Sequence, residues 1–243
     1  MRHKLQKTPI RTLLLALGSM LALAACDSGS DSAGNDGSQT PAADNGGGEG
    51  ASGYAEVINA AEVSPEGHTL GGVAMGDPDA PVSIIEYASL TCPHCAQFHE
   101  TVLPDLKTQY IDTGKVRYEF RNFILNPVDL AVSMIVRCQP PEEFFPLTDL
   151  FFANQQQWLA NANDREQLFS DISSLVRRVG ISRAEIDQCL ANRDLQQHLV
   201  ELTQEGQQDW GVNATPTIIV AGETRGNEVR TFEGLAQVIE EEL

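Results

Sequence analysis

The chain has 243 residues, 34 acidic against 16 basic side chains, and a formal net charge of −18. That balance argues against a nucleic-acid partner, because binding to phosphates is carried by clustered lysine and arginine. The length leaves room for one well-buried domain with an insertion once an atypical N-terminal stretch is set aside.

In chain order, Arg2, Lys4, Lys7 and Arg11 precede an apolar core from Leu13 to Ala25 that is too short to span a bilayer comfortably. Residues 1–25 therefore read as an export signal. Leu23-Ala24-Ala25-Cys26 resembles a bacterial lipobox, which predicts acylation of Cys26; the alternative is an ordinary signal cleaved after Ala24, with Cys26 a free thiol. Residues 26–53, dominated by Gly, Ser, Asp, Asn and Ala, have almost nothing to bury and read as a flexible tether spanning about 25–30 Å. Without the leader's four cations the net charge is about −22. Five acidic residues lie in the tether and three in Glu240-Glu241-Glu242, where their charge serves solubility.

Residues 54–243 carry the folded domain. Val82 to Tyr87 is a short apolar strand, and a helical pattern runs from Cys92 through Phe98, Val102 and Leu106 to about Tyr110, followed by a second strand from Val116 to Phe123. This strand-helix-strand unit predicts a parallel pair with the first strand buried. Cys92-Pro93-His94-Cys95 opens the helix. Unpaired amides and the positive end of the helix dipole favour a thiolate at Cys92, Pro93 needs no amide partner there, and His94 adds a cation or is merely a surface residue. Two thiols at this spacing serve thiol-disulfide exchange, or else half of a zinc site. The other half of such a site is missing, for Cys138 and Cys189 stand alone and His99 lies two turns beyond Cys92.

A long helical block follows, an insertion at about residues 126–210. Pro127 opens a segment ending near Cys138, and Glu142 to Trp158 carries Phe144, Phe145, Leu147, Leu150, Phe151 and Phe152 at helical spacing, a stripe read as core. Asp164-Arg165-Glu166-Gln167 and Ser182-Arg183-Ala184-Glu185 both look like capping boxes, Gly180 is placed to stop the first of these helices, and a last helix runs through Leu195, Leu199 and Leu202. With Cys26 assigned to lipid and Cys92 to Cys95, Cys138 and Cys189 are candidates for each other; the alternative is two buried free thiols. Thr215-Pro216 then enters the apolar run Ile218-Ile219-Val220, either as an edge-strand proline or as a cis bond presenting the Thr215 backbone. A weak strand near Glu228 to Phe232 and a helix from Glu233 close the chain.

CPHC after a strand, a long helical insertion and Thr-Pro before a later strand together resemble the thioredoxin superfamily, specifically its DsbA-like disulfide oxidoreductases, over roughly Gly71 to Leu243. Gly76-Asp77-Pro78-Asp79-Ala80-Pro81 before Val82 resembles the entry to that family's first active-site strand. The resemblance implies an α/β thioredoxin-like fold with a helical insertion between its βαβ and ββα halves. It makes Cys92 the exposed nucleophile, Cys95 the resolving thiol and Pro216 the cis-proline. Glu86 becomes the buried strand acid, with a raised pKa, that exchanges a proton with Cys95; the alternative is a surface carboxylate at a strand end.

The expected protein is thus a monomeric, lipid-anchored periplasmic oxidase without cofactor or metal. It would donate its Cys92 to Cys95 disulfide to exported proteins with free thiols and be reoxidised by a membrane partner of the DsbB type. Rival readings are a reductase or isomerase on the same fold, although Tyr54 to Met75 is too short for the dimerisation domain usual in isomerases, and a tethered metal carrier using the CxxC.

Overall fold

The computed structural model describes residues 58–59, 62–64 and 69–243. The expected leader, the tether and Cys26 lie outside the described residues. Among those described, a six-stranded sheet runs in the order β1-β4-β6-β5-β7-β8, with β1 at Ile58–Asn59, β4 at Val73–Met75, β5 at Val82–Ala88, β6 at Val116–Asn122, β7 at Thr217–Val220 and β8 at Glu223–Thr224. A separate hairpin pairs β2, Glu62–Val63, with β3, Thr69–Leu70.

β5 is central, with a hydrogen-bonded strand on each side, and its nearly continuous apolar run is buried except at Ser83 and, in part, Ile85. It pairs parallel with β6 from Val82↔Val116 to Ala88↔Asn122 and antiparallel with β7. The crossover between β5 and β6 is α1 (Pro93–Thr101), α2 (Leu103–Leu106) and a π-helical turn (Lys107–Ile111). The single helix expected there breaks at Val102, because Pro104 has no N–H to return to the turn before it. Gly76 turns the chain into β5 with φ +99°, and a Cβ there would meet the Val116 carbonyl oxygen at 2.5 Å.

The insertion comprises α3 (Pro127–Arg137), α4 (Phe144–Ala153), α5 (Gln155–Trp158), α6 (Arg165–Arg177), α7 (Arg183–Ala191) and α8 (Arg193–Trp210). Its aromatic stripe is core: Phe144, Phe145 and Phe151 are fully buried, and Phe144 packs edge-on to both Phe145 and Phe120. The helix expected from Glu142 to Trp158 is divided, with Asn154 leaving helical geometry between α4 and α5. Ser182 and Glu185 form the full capping box, whereas Asp164 caps α6 alone, since the Gln167 side chain turns to Asp171. The strand expected near Glu228 is absent: Ala221 and Gly222 both take positive φ, a two-residue turn that returns the chain at once as β8, and Asn227–Arg230 is a 3-10 turn. Helix α9, Phe232–Glu242, completes the chain.

Candidate active site

Cys92 is the N-cap of α1, with extended backbone angles (φ −84°, ψ 121°) and Pro93 as the first helical residue. Its amide closes a turn onto the Ser89 carbonyl at 3.1 Å. The insertion holds this turn from the side. Gln155 Nε2 donates to the carbonyls of Leu90 and Cys92 at 2.9 and 3.0 Å, and Asp129 Oδ1 accepts from the Leu90 amide at 2.9 Å. Asn126, which caps α3, also donates to Thr91 Oγ1 at 2.9 Å. Asp129 is fully buried, and that burial raises its pKa to about 6 against the pull of its amide donors.

On the other side stands the loop into β7. The Thr215-Pro216 bond is cis, and the Cys92 thiol donates to the Thr215 carbonyl at 3.3 Å. Only the protonated sulfur makes that bond. The Thr215 side chain acts in the opposite direction and favours the thiolate.

Both thiols are free in this structure, and their environments differ sharply. The Cys92 pKa is lowered to about 5, first by a hydrogen bond from Cys95, against the cost of burial, and then by Thr215 and by the amides of Cys95 and His94. The Cys95 thiol is raised well above its ordinary value, first by burial, then by its bond to Cys92 and by the negative charge of Glu86. Cys92 was expected to be exposed; it is 6% accessible, because the Thr215 loop lies over it, while Cys95 is at 0%. His94 is exposed, and its main influence on Cys92 comes through its backbone amide, the ring standing off in solvent.

Glu86 is completely buried in β5. Its Oε2 accepts from the Tyr118 hydroxyl and meets His99 Nε2 at 3.1 Å, while Oε1 has no partner. The other ring nitrogen of His99 reaches Asp149 Oδ1 at 3.3 Å. Burial acts to lower the His99 pKa, but the Glu86 charge and the bonds to Asp149 and Glu86 outweigh it and raise it to about 9. The imidazole is therefore a buried cation between two carboxylates. From sequence alone His99 reads only as a spare metal ligand, and its position four residues after Cys95, on the same helix face, is the signal of its role. Gln155, Asp129, Tyr118 and Asp149 carry no local signal of their roles. Among the described residues no group of three or more His, Cys, Asp or Glu side chains is arranged to hold a metal.

The remaining candidates are a pair apart: Cys138, at the end of α3, and Cys189, in α7, form a disulfide with Cα atoms 5.7 Å apart.

A central sheet, a CxxC at a helix N-cap and a facing cis-proline define a class of proteins. The thioredoxin family profile matches residues 68–241, and the chain belongs to that family. Within it the chain falls with the DsbA-like thiol-disulfide oxidoreductases. A Rickettsia conorii protein named as a protein-disulfide oxidoreductase is 35% identical over 156 residues, which is 64% of this chain and 55% of that protein. The chain thus spans about half the length of the Rickettsia relatives it matches. The structure of a protein-disulfide isomerase from Novosphingobium aromaticivorans superposes with a TM-score of 0.66 at 27% identity, over 71% of this chain and 98% of that one. Wolbachia pipientis α-DsbA1 superposes at 0.63 and 26% identity, over 70% and 90%.

Proposed function

We propose that this protein is an exported dithiol oxidase that donates its Cys92–Cys95 disulfide to other exported proteins. A substrate thiolate attacks Cys92, the intramolecular S–S bond breaks, and the electron pair leaves on Cys95, which takes up a proton. A second substrate thiolate then attacks the substrate sulfur of the mixed disulfide and expels Cys92 as a thiolate. Two electrons pass to the protein, and a membrane reoxidant of the DsbB type removes them. Cys26, acylated after cleavage of residues 1–25, anchors the domain of residues 54–243 through the tether of residues 26–53.

The observation that carries this reading is the split between the two thiols, with Cys92 at about 5 and Cys95 pushed up. A stabilised Cys92 thiolate is a good leaving group and favours the reduced protein, so the disulfide is given away readily. Equilibration with glutathione tests it: a potential less negative than about −180 mV supports an oxidase, and one below about −250 mV makes the protein a reductase. The name of the Novosphingobium structure raises an isomerase as a second reading, and reactivation of a scrambled disulfide protein without added oxidant would favour it. For the metal carrier, the histidine it would need, His99, is engaged by Glu86 and Asp149. Detergent partitioning that survives in Cys26→Ala would overturn the anchor.

A further inference from the structure

An oxidised CxxC pair releases a buried sulfur anion each time it is attacked, and that anion must be protonated where water does not reach. Cys95 is at 0% accessibility, and Glu86, which acts on it electrostatically, is equally buried. A carboxylate alone has no proton to give. The chain from Glu86 to the protein edge supplies one: Glu86 Oε2 to His99 Nε2 at 3.1 Å, then His99 Nδ1 to Asp149 Oδ1 at 3.3 Å, where the Asp149 side chain is 34% exposed and that of His99 only 2%.

We propose that His99, held between Glu86 and Asp149, is the proton reservoir of Cys95. This rests on the thiol-disulfide exchange reading of the site. When a thiolate attacks Cys92 and the S–S bond breaks, the Nε2 proton of His99 passes to the Glu86 carboxylate and from it to the Cys95 sulfur. The ring is left neutral, with Nδ1–H donated to Asp149. In the reverse half-reaction Cys95 gives up its proton as it attacks, and the proton returns to Nε2 along the same path. No proton is made or lost, and Asp149 keeps the ring in the charged form that starts the cycle. The groups facing His99 are consistent with a single such path: Glu86 from β5, the Tyr118 hydroxyl from β6 at 3.5 Å from Nε2, Asp149 from α4 and Cys95 on its own helix, with Phe98, Phe120 and Phe152 around the rest of the ring. Its pKa of about 9 keeps it loaded at neutral pH.

The test is stopped-flow reduction of the oxidised full chain by dithiothreitol, with rates divided by the thiolate fraction of the reagent, across pH 6 to 10. In the native protein the corrected rate should hold constant and fall as pH rises through about 9, where the imidazolium is lost. His99→Gln should lower the neutral-pH rate about a hundredfold and abolish that fall, and Asp149→Asn should lower it about tenfold and move the fall to lower pH. The Cys92 thiolate titration should stay in place in both. Native rates and an unchanged profile in the variants would overturn the reservoir, as would a slowdown that tracks a shifted Cys92 titration. Should His99→Gln fail to fold, Asp149→Asn, at a partly exposed side chain, decides alone. If the native disulfide does not react with dithiothreitol at all, it is the oxidoreductase reading that fails.

Discussion

The two cysteine pairs of this molecule sit at opposite ends of helices, and the difference shows what makes a disulfide exchangeable. Cys92 caps the N-terminus of α1, where free amides and the helix dipole stabilise a sulfur anion. Cys138 caps the C-terminus of α3, where the dipole opposes one, and its partner Cys189 is 2% accessible. Within the first pair the acidities are driven apart, whereas the second pair is closed as a disulfide. Nearness in sequence matters less than this. The CxxC pair is three positions apart and built to open, whereas the second pair is 51 positions apart and built to stay shut.

The largest effect should come from the reactive pair. Cys92→Ser should lower dithiol oxidation more than about a thousandfold, whereas Cys95→Ala should leave a Cys92 that accumulates as mixed disulfides visible on non-reducing gels. A Cys95→Ala protein that forms no such adducts would place the attacked sulfur elsewhere. Absorbance of the Cys92 thiolate should be present at neutral pH and vanish as pH falls through about 5, because a lowered pKa makes the anion the stable form above that value.

Replacing both Cys138 and Cys189 by alanine should cost about 4 kcal/mol of stability from loop closure, measured by urea unfolding. It should leave the Cys92 titration where it is. A change in the Cys92 pKa would show that the insertion bridge also sets reactivity, and would blur the contrast between the pairs.

Gln155→Ala probes where the two regions meet. It leaves the buried carbonyls of Leu90 and Cys92 without that donor and should cost about 1–3 kcal/mol, with a faster-exchanging loop amide at Cys92 by hydrogen exchange. The smallest effect is expected at His94→Leu. With an exposed ring acting on Cys92 mainly through the backbone, it should raise the Cys92 pKa by no more than about half a unit, or about 0.7 kcal/mol. A rise of two units would return the imidazole to the centre of the mechanism.

The elements of the site were legible to different degrees for physical reasons. The strand before Cys92, the helix after it and the division into sheet and insertion follow from the period of apolar residues, a local property. Smaller breaks were missed where one side chain decided them: Pro104 interrupts the crossover helix, and Ala221 with Gly222 turns the chain sooner than the apolar pattern suggests. His99 was legible as a neighbour of Cys95 on one helix face but not as a partner of Glu86, because no spacing within a helix says which strand it will lie against.

By itself the sequence determined the chemistry on offer: two thiols at a helix start, a proline before a strand, an acid inside an apolar run. Each of these depends on residues adjacent in the chain, where backbone geometry is short-range. Only the tertiary structure decided how that chemistry is controlled. Asp129 and Gln155 reach back from 39 and 65 residues away to hold the Leu90 turn, and Thr215 reaches Cys92 across 123 residues. His99 becomes a buried cation only because β5 and α4 bring a carboxylate to each of its nitrogens. Acidity depends on what surrounds a group in space, and in the interior most of what surrounds it comes from elsewhere in the chain.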